Sequence, residues 1–276
     1  MPVFAATGRT EQYQKSFETG PAPHVYIDDA SAALTVTVKP GSRVSVSEQS
    51  SSSGWMHRED SSFSVTPVSD GLRIVRTTTS STMVMFGSFR RTLDVTLPPG
   101  ARLEVANAGN TEIAGLRESA DIHTDNGHVI VSDHRGKLVA TSDNGRIELH
   151  DVDGPSVTAT SDNGRIILAG VRAGTLSVEA DNGRIEGSGV STGGGKIATN
   201  NGLINLGLAQ GNDIIVTAHA SSGKVRAETP LAFEPAAGDA DDDDQPRTLR
   251  LGNGMGKLEV SSDNGSITIS LGGKPL

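Results

Sequence analysis

The chain has 276 residues, 35% hydrophobic and 3% aromatic, with 33 glycines, no cysteine and a formal net charge of −9. The acidic surplus gives no general attraction to phosphate backbones or anionic membranes, which excludes nucleic acid as a partner class. Without cysteine there are no disulfides, thiolate metal sites or cysteine nucleophile, and no apolar run reaches the roughly 18–20 residues that a membrane span needs.

Residues 1–23 are expected to be disordered or extended. Within them Val3-Phe4-Ala5 has the small-residue spacing of a signal-peptidase site, which fits either a trimmed leader or an ordinary frayed terminus. Residues 24–105 form an N-terminal β region. Its strand-like runs are Val25-Tyr26-Ile27, Leu34 to Val38, Arg43 to Val46, Leu72 to Val75 and Leu93 to Leu97, separated by Pro-Gly and Asp-Gly turns. The serine-rich stretch from Ser47 to Ser62 reads as a loop. Large apolar residues gather at Trp55-Met56, beside His57, and again from Met83 to Phe86 with Phe89. They fit a partner-contact patch, or, for Met83 to Phe89, an edge strand or end cap over the first coil.

Residues 106–276 are repetitive. Asn-Gly recurs at Asn126, Asn144, Asn163, Asn182 and Asn201, at spacings of 18, 19, 19 and 19, and Ser222-Gly223 and Asn264-Gly265 extend the series less regularly. Small or apolar residues alternate before the Asn, as in Leu138, Ala140, Ser142 and Val157, Ala159, Ser161; Ile147, Leu149 and Ile166, Leu168 follow the Gly. A period of two means strands. A third apolar position falls eight residues after the Asn at Val152, Val171 and Val190, beside a second turn at Gly154, Gly170 and Gly189. Residues 230–248, with Asp241 to Asp244, interrupt the repeats as a Pro/Ala/Asp-rich insertion, a solvated loop in this reading.

Burying the few apolar side chains of one unit yields about 1.5–3 kcal/mol each, while ordering its backbone costs about 1–2 kcal/mol per residue, so a single unit cannot fold alone. Units stacked edge to edge share a continuous core, the logic of a β-solenoid. Asn-Gly is also a strong hairpin signal, so periodicity alone leaves a meander or sandwich open.

The segment Leu93-Asp94-Val95-Thr96-Leu97-Pro98-Pro99-Gly100-Ala101-Arg102-Leu103-Glu104-Val105, followed by Gly109-Asn110-Thr111-Glu112-Ile113 and the Asn-Gly repeats, resembles the bacterial DUF4097 β-strand-repeat family over roughly residues 25–276. The resemblance implies an all-β, right-handed β-solenoid or β-helix-like stack. The adhesin label attached to that family brings no defined ligand, cofactor or catalytic residue.

Asp125, Asp143, Asp162, Asp181 and Asp263 precede the Asn of their turns, with Asn200 standing in that place before Asn201, and would stack as a carboxylate row, about 4.8 Å per rung, able to hold calcium through oxygen ligands. The structural alternative is that each Asp bonds its own turn and is balanced by the following Arg146, Arg165 or Arg184. Those arginines form a second row that could meet anionic glycans. Of the histidines, His123, His128, His134 and His150 lack a zinc-binding spacing and read as exposed strand or turn residues. A carboxylate repeated once per coil serves the coil, whereas an active site should break the pattern.

The sequence therefore reads as a non-enzymatic β-solenoid of the cell envelope or secreted space, adhesin-like or a scaffold, with no cofactor beyond the calcium considered above. Its partner would be an envelope glycan or protein. The alternatives are a polysaccharide-active enzyme on the same fold and an envelope-stress sensory domain.

Overall fold

The computed structural model describes residues 9–55, 59–81, 86–234 and 245–272, which form 24 strands and no helix. The Val3-Phe4-Ala5 segment, Met56, His57, Met83 to Met85 and Asp241 to Asp244 lie outside the described residues, as do the side chains of Trp55, Phe86 and Phe89.

Residue parity decides which side chains meet. Leu138, Ala140 and Ser142 are buried while Val139 and Thr141 between them are half-exposed, and Ile147 and Leu149 are buried on the next strand. One coil is thus two strands facing each other across the core, joined by the Asn-Gly turn. Successive coils stack in parallel, with Ala140 opposite Ala159 in one sheet and Leu149 opposite Leu168 in the other. The molecule is a β-solenoid-like stack. The Asn-Gly pairs close no two-residue hairpins: such turns need positive φ, and Asn126, Asn144, Asn163 and Asn182 and the glycines after them lack it.

The order of coils in space differs from their order in sequence at both ends. The first coil, His24–Asp29 with Ala33–Val38, lies between the later coils Gly71–Ser81 with Phe86–Leu97 and Arg102–Ala108 with Thr111–Ala114. The last, Gly256–Asn264 with Ile267–Leu271, lies between Gly195–Asn201 with Ile204–Leu208 and Ile214–Ser222 with Val225–Ala227.

Antiparallel strands cover the ends. Glu59–Val68 pairs with Gly71–Ser81 in one sheet, and Arg9–Glu18 pairs with Arg43–Trp55 in the other. Between them Tyr13 meets Phe63 edge-on, with ring centroids 5.3 Å apart. At the far end Arg247–Leu251 runs antiparallel to Ile214–Ser222. The serine-rich stretch from Ser47 to Ser62, expected to be a loop, supplies strand to Arg43–Trp55 and Glu59–Val68. In the first of these, Glu48 and Ser50 continue the inward alternation of Val44 and Val46, so polar residues conceal a strand.

Glu48 belongs to a buried ionic cluster where the aliphatic core ends. Arg76 donates to Asp29 and Glu48, both at 3.0 Å; Arg91 stands 3.4 Å from Glu48 and bonds Ser31, which donates to Asp29 at 2.8 Å. Burial pushes the Glu48 carboxyl above its usual range, against the opposing pull of Arg76 and Arg91.

The second corner of each coil uses left-handed backbone at Gly115, Asp133, Asp151, Gly170 and Gly189. The counterpart of Gly170 and Gly189 is thus Asp151, not Gly154, since aspartate tolerates this conformation. The inward column beside it is Leu116, His134, Val152, Val171 and Val190, all fully buried. His134, expected to be exposed, occupies a valine position, and among the described residues neither ring nitrogen has a hydrogen-bond partner. Burial lowers its pKa from 6.5, Arg117 and Arg135 push the same way, and the nearby Gly136 and Lys137 backbone only partly opposes them.

Candidate binding edge

The Asn-Gly turns line up along one edge of the stack, and three of their rows are locked. The Asn side chains form an amide ladder: Asn144 donates to Asn126 at 3.1 Å, Asn163 to Asn144 at 3.0 Å, Asn182 to Asn163 at 3.2 Å and Asn201 to Asn182 at 2.9 Å. The glycine row is fixed by close approach. A Cβ on Gly145, Gly164 or Gly183 would stand 1.8–1.9 Å from the carbonyl oxygen of the preceding glycine. Ser142, Ser161 and Thr199, facing inward, donate to the carbonyls of Gly127, Gly145 and Gly183 at 3.1–3.2 Å.

The arginine row turns away from the aspartates. Arg146 pairs with Glu148 at 2.9 Å, and Arg165 and Arg184 both hold Glu186. Balance of each Asp by the following Arg is therefore corrected. Arginine and the glutamate two residues on share one strand face, and the next rung's glutamate is also within reach.

The aspartates remain. Asp125 lies 3.5 Å from His123, and Asp181 accepts from Asn200 at 3.1 Å. Asp143, Asp162 and Asp263 make no side-chain hydrogen bond or ion pair among the described residues, so they do not bond their own turns as expected. The structure places the row on a rigid frame, half-exposed at Asp143 and exposed at Asp125, Asp162 and Asp181. Among the described residues no group of three or more histidine, aspartate or glutamate side chains is close enough to hold a metal ion.

His128 accepts the Arg146 amide through Nδ1 at 3.2 Å, and His150 pairs with Glu148 at 3.2 Å, so both are surface partners of the repeat. Elsewhere, Asp153, Arg172, Thr192, Asp213 and Met255 border a shallow open groove of about 450 Å³, floored by glycines. Desolvation raises the Asp213 pKa, but the Met255, Gly254 and Asn253 amides together outweigh it and hold the carboxyl below its ordinary range. Sequence reasoning missed this groove because Asp213 and Met255 come together only through the displaced last coil.

Comparison with known proteins adds the following. The family model described as Toastrack DUF4097 matches residues 25–270. No curated protein matches the chain in sequence. Among solved structures, an inferred adhesin from Parabacteroides distasonis superposes with a TM-score of 0.53 at 10% identity, covering 94% of this chain and 97% of that one. An inferred adhesin from Bacteroides fragilis gives 0.45 at 10%, covering 95% and 97%. An inferred lipid-binding protein from Parabacteroides distasonis gives 0.45 at 11%, covering 94% and 96%. The first of these likenesses shows the fold alone. Among the described residues no helix is long and apolar enough to cross a membrane.

Proposed function

The chain belongs to the Toastrack DUF4097 family, and we propose that it is a non-enzymatic binding or scaffold protein of the cell envelope or secreted space. The observation that carries this reading is the turn edge. Asn and Gly are consumed in holding the coils together, Arg146, Arg165 and Arg184 are consumed by glutamates, and the solvent-facing carboxylates of Asp143 and Asp162 are left over. Unspent carboxylates on adjacent rungs suit an extended, repetitive partner such as an envelope glycan, met through hydroxyl groups or bridging calcium ions. The adhesive sense agrees with the adhesin role inferred for the Parabacteroides distasonis protein. A carboxylate that recurs from coil to coil serves the repeat more readily than acid–base chemistry at one position, which supports a binding role over a hydrolytic one.

The test is co-sedimentation of the purified chain with envelope and polysaccharide fractions, with and without calcium, alongside an assay for released sugars. Saturable binding that weakens in the Asp143→Asn, Asp162→Asn double variant, without products, is the expected result. Product release, or equal binding by the double variant, would overturn the reading.

A further inference from the structure

The displaced end coils suggest a mechanical role. In a stack whose coils follow sequence order, each chain end lies in an outermost coil, and tension on it peels strands one at a time from a single hydrogen-bonded edge. Here neither end coil is outermost. His24–Asp29 is hydrogen-bonded on one side to Gly71–Ser81 and on the other to Arg102–Ala108, and Gly256–Asn264 is held between Gly195–Asn201 and Ile214–Ser222. The companion strands Ala33–Val38 and Ile267–Leu271 are likewise paired along both edges.

We propose that these two buried coils are tension clamps, and that the chain bears load between its ends without unravelling coil by coil. This deepens the scaffold reading. Its test reads force and not binding, so either can fail without the other.

The argument is one of bond count and order. Freeing an interior strand breaks about twice the hydrogen bonds per residue that freeing an edge strand does, and both neighbours must yield together. The clamps sit near opposite ends of the stack, separated by seven coil steps that amount to about 34 Å at the inter-strand spacing. Every strand between them is hydrogen-bonded to both neighbours, so load passes through the stack. Among the described residues ahead of the amino-terminal clamp, Arg9–Glu18 is the only strand, paired on one side to Arg43–Trp55, and it yields first.

The chain has no cysteine, so engineered cysteine pairs give unambiguous handles for single-molecule pulling. An Ala22→Cys handle beside the first coil, paired with a handle fused after residue 276, loads the two clamps. A Ser64→Cys, Arg226→Cys pair loads the outermost strands Glu59–Val68 and Val225–Ala227 instead. The clamp geometry is expected to rupture in one event at about twice the force of the outer pair. The outer pair should open by stages. Rupture of the clamp geometry at equal or lower force, or as a series of steps near 65 Å, the length of one released 19-residue coil at about 3.4 Å per residue, would overturn the proposal. Retention of the wild-type thermal midpoint by both cysteine variants establishes that the comparison is between folded molecules.

Discussion

The side-chain amide of Asn264 donates to Asn201 Oδ1 at 3.0 Å, although 63 residues separate them in the chain. The bond continues the amide ladder across the point where the last coil enters the stack. Ser222-Gly223 then follows Asn264-Gly265 in space, with a Cβ on Gly223 falling 2.0 Å from the Gly265 carbonyl oxygen. The turn edge is therefore one continuous structure despite the change in chain order.

Asn163 donates to Asn144 and accepts from Asn182. Replacing it with alanine removes two exposed bonds, and Asn163→Ala is expected to lower unfolding free energy by about 1 kcal/mol in urea titration. A loss above about 3 kcal/mol would mean that the ladder acts as a cooperative unit.

Gly164 meets a harder limit, since its Cβ would stand 1.9 Å from the Gly145 carbonyl oxygen and 2.5 Å from Ser161 Oγ. Neither backbone can retreat without breaking the rung spacing. Gly164→Ala is expected to cost about 3 kcal/mol, seen as a lower denaturation midpoint. A cost near zero would show that adjacent coils separate freely.

For His134 the sign follows from its environment. Its folded-state pKa lies below the ordinary 6.5, so above that value the ring is neutral in both states and pH has no effect through it. As pH falls below 6.5, the unfolded chain takes up a proton that the folded chain resists, and stability declines until the folded pKa is passed. His134→Val should raise stability by about 1 kcal/mol at pH 7.5, because it removes a buried group without partners, and by more at about pH 5. Thermal melts of both proteins across that range check this; parallel pH curves would place the acid sensitivity elsewhere.

In the ionic cluster, Glu48 takes Arg76 at 3.0 Å and Arg91 at 3.4 Å. Glu48→Gln removes the carboxylate charge that Arg76 and Arg91 both face and is expected to cost about 3 kcal/mol. If melts show no loss, other groups around Arg91 meet its charge.

Ile166 is fully buried between Ile147 and Ile185 of the adjacent coils. Ile166→Asp places a charge where nothing can pair it, at a cost of at least about 3 kcal/mol. Hydrogen exchange should show several coils losing protection together. Unchanged unfolding would contradict the assigned register.

The coil register was legible because parity and period are written in the repeats: Leu138, Ile147, Val152 and their counterparts are all buried as read. His134 lies eight residues after Asn126, as Val152 does after Asn144, but residue type obscured a position that spacing marks. Glu48 was hidden in the same way, on the parity of Val44 and Val46 within a serine-rich run. The displaced end coils were not legible at all, since any coil of matching parity can pair with any other, and sequence order carries no information about which one does. At the turn edge, the residue types were readable but their bonds were not. The Arg rows reach glutamates because of where the strand faces point, which only three-dimensional register decides.

The antiparallel cover strands have a consequence for copies of the molecule meeting one another. A parallel stack with open ends is a template for endless growth, because any further chain can add a rung in the same direction. Glu59–Val68, Arg9–Glu18 and Arg247–Leu251 run against the strands they cover. A newcomer arriving with solenoid polarity therefore finds a mismatched template at those edges. The sequence thus encodes a fibre-like architecture together with stops at three of its end edges, while Val225–Ala227 at the fourth keeps solenoid polarity without a cover strand among the described residues.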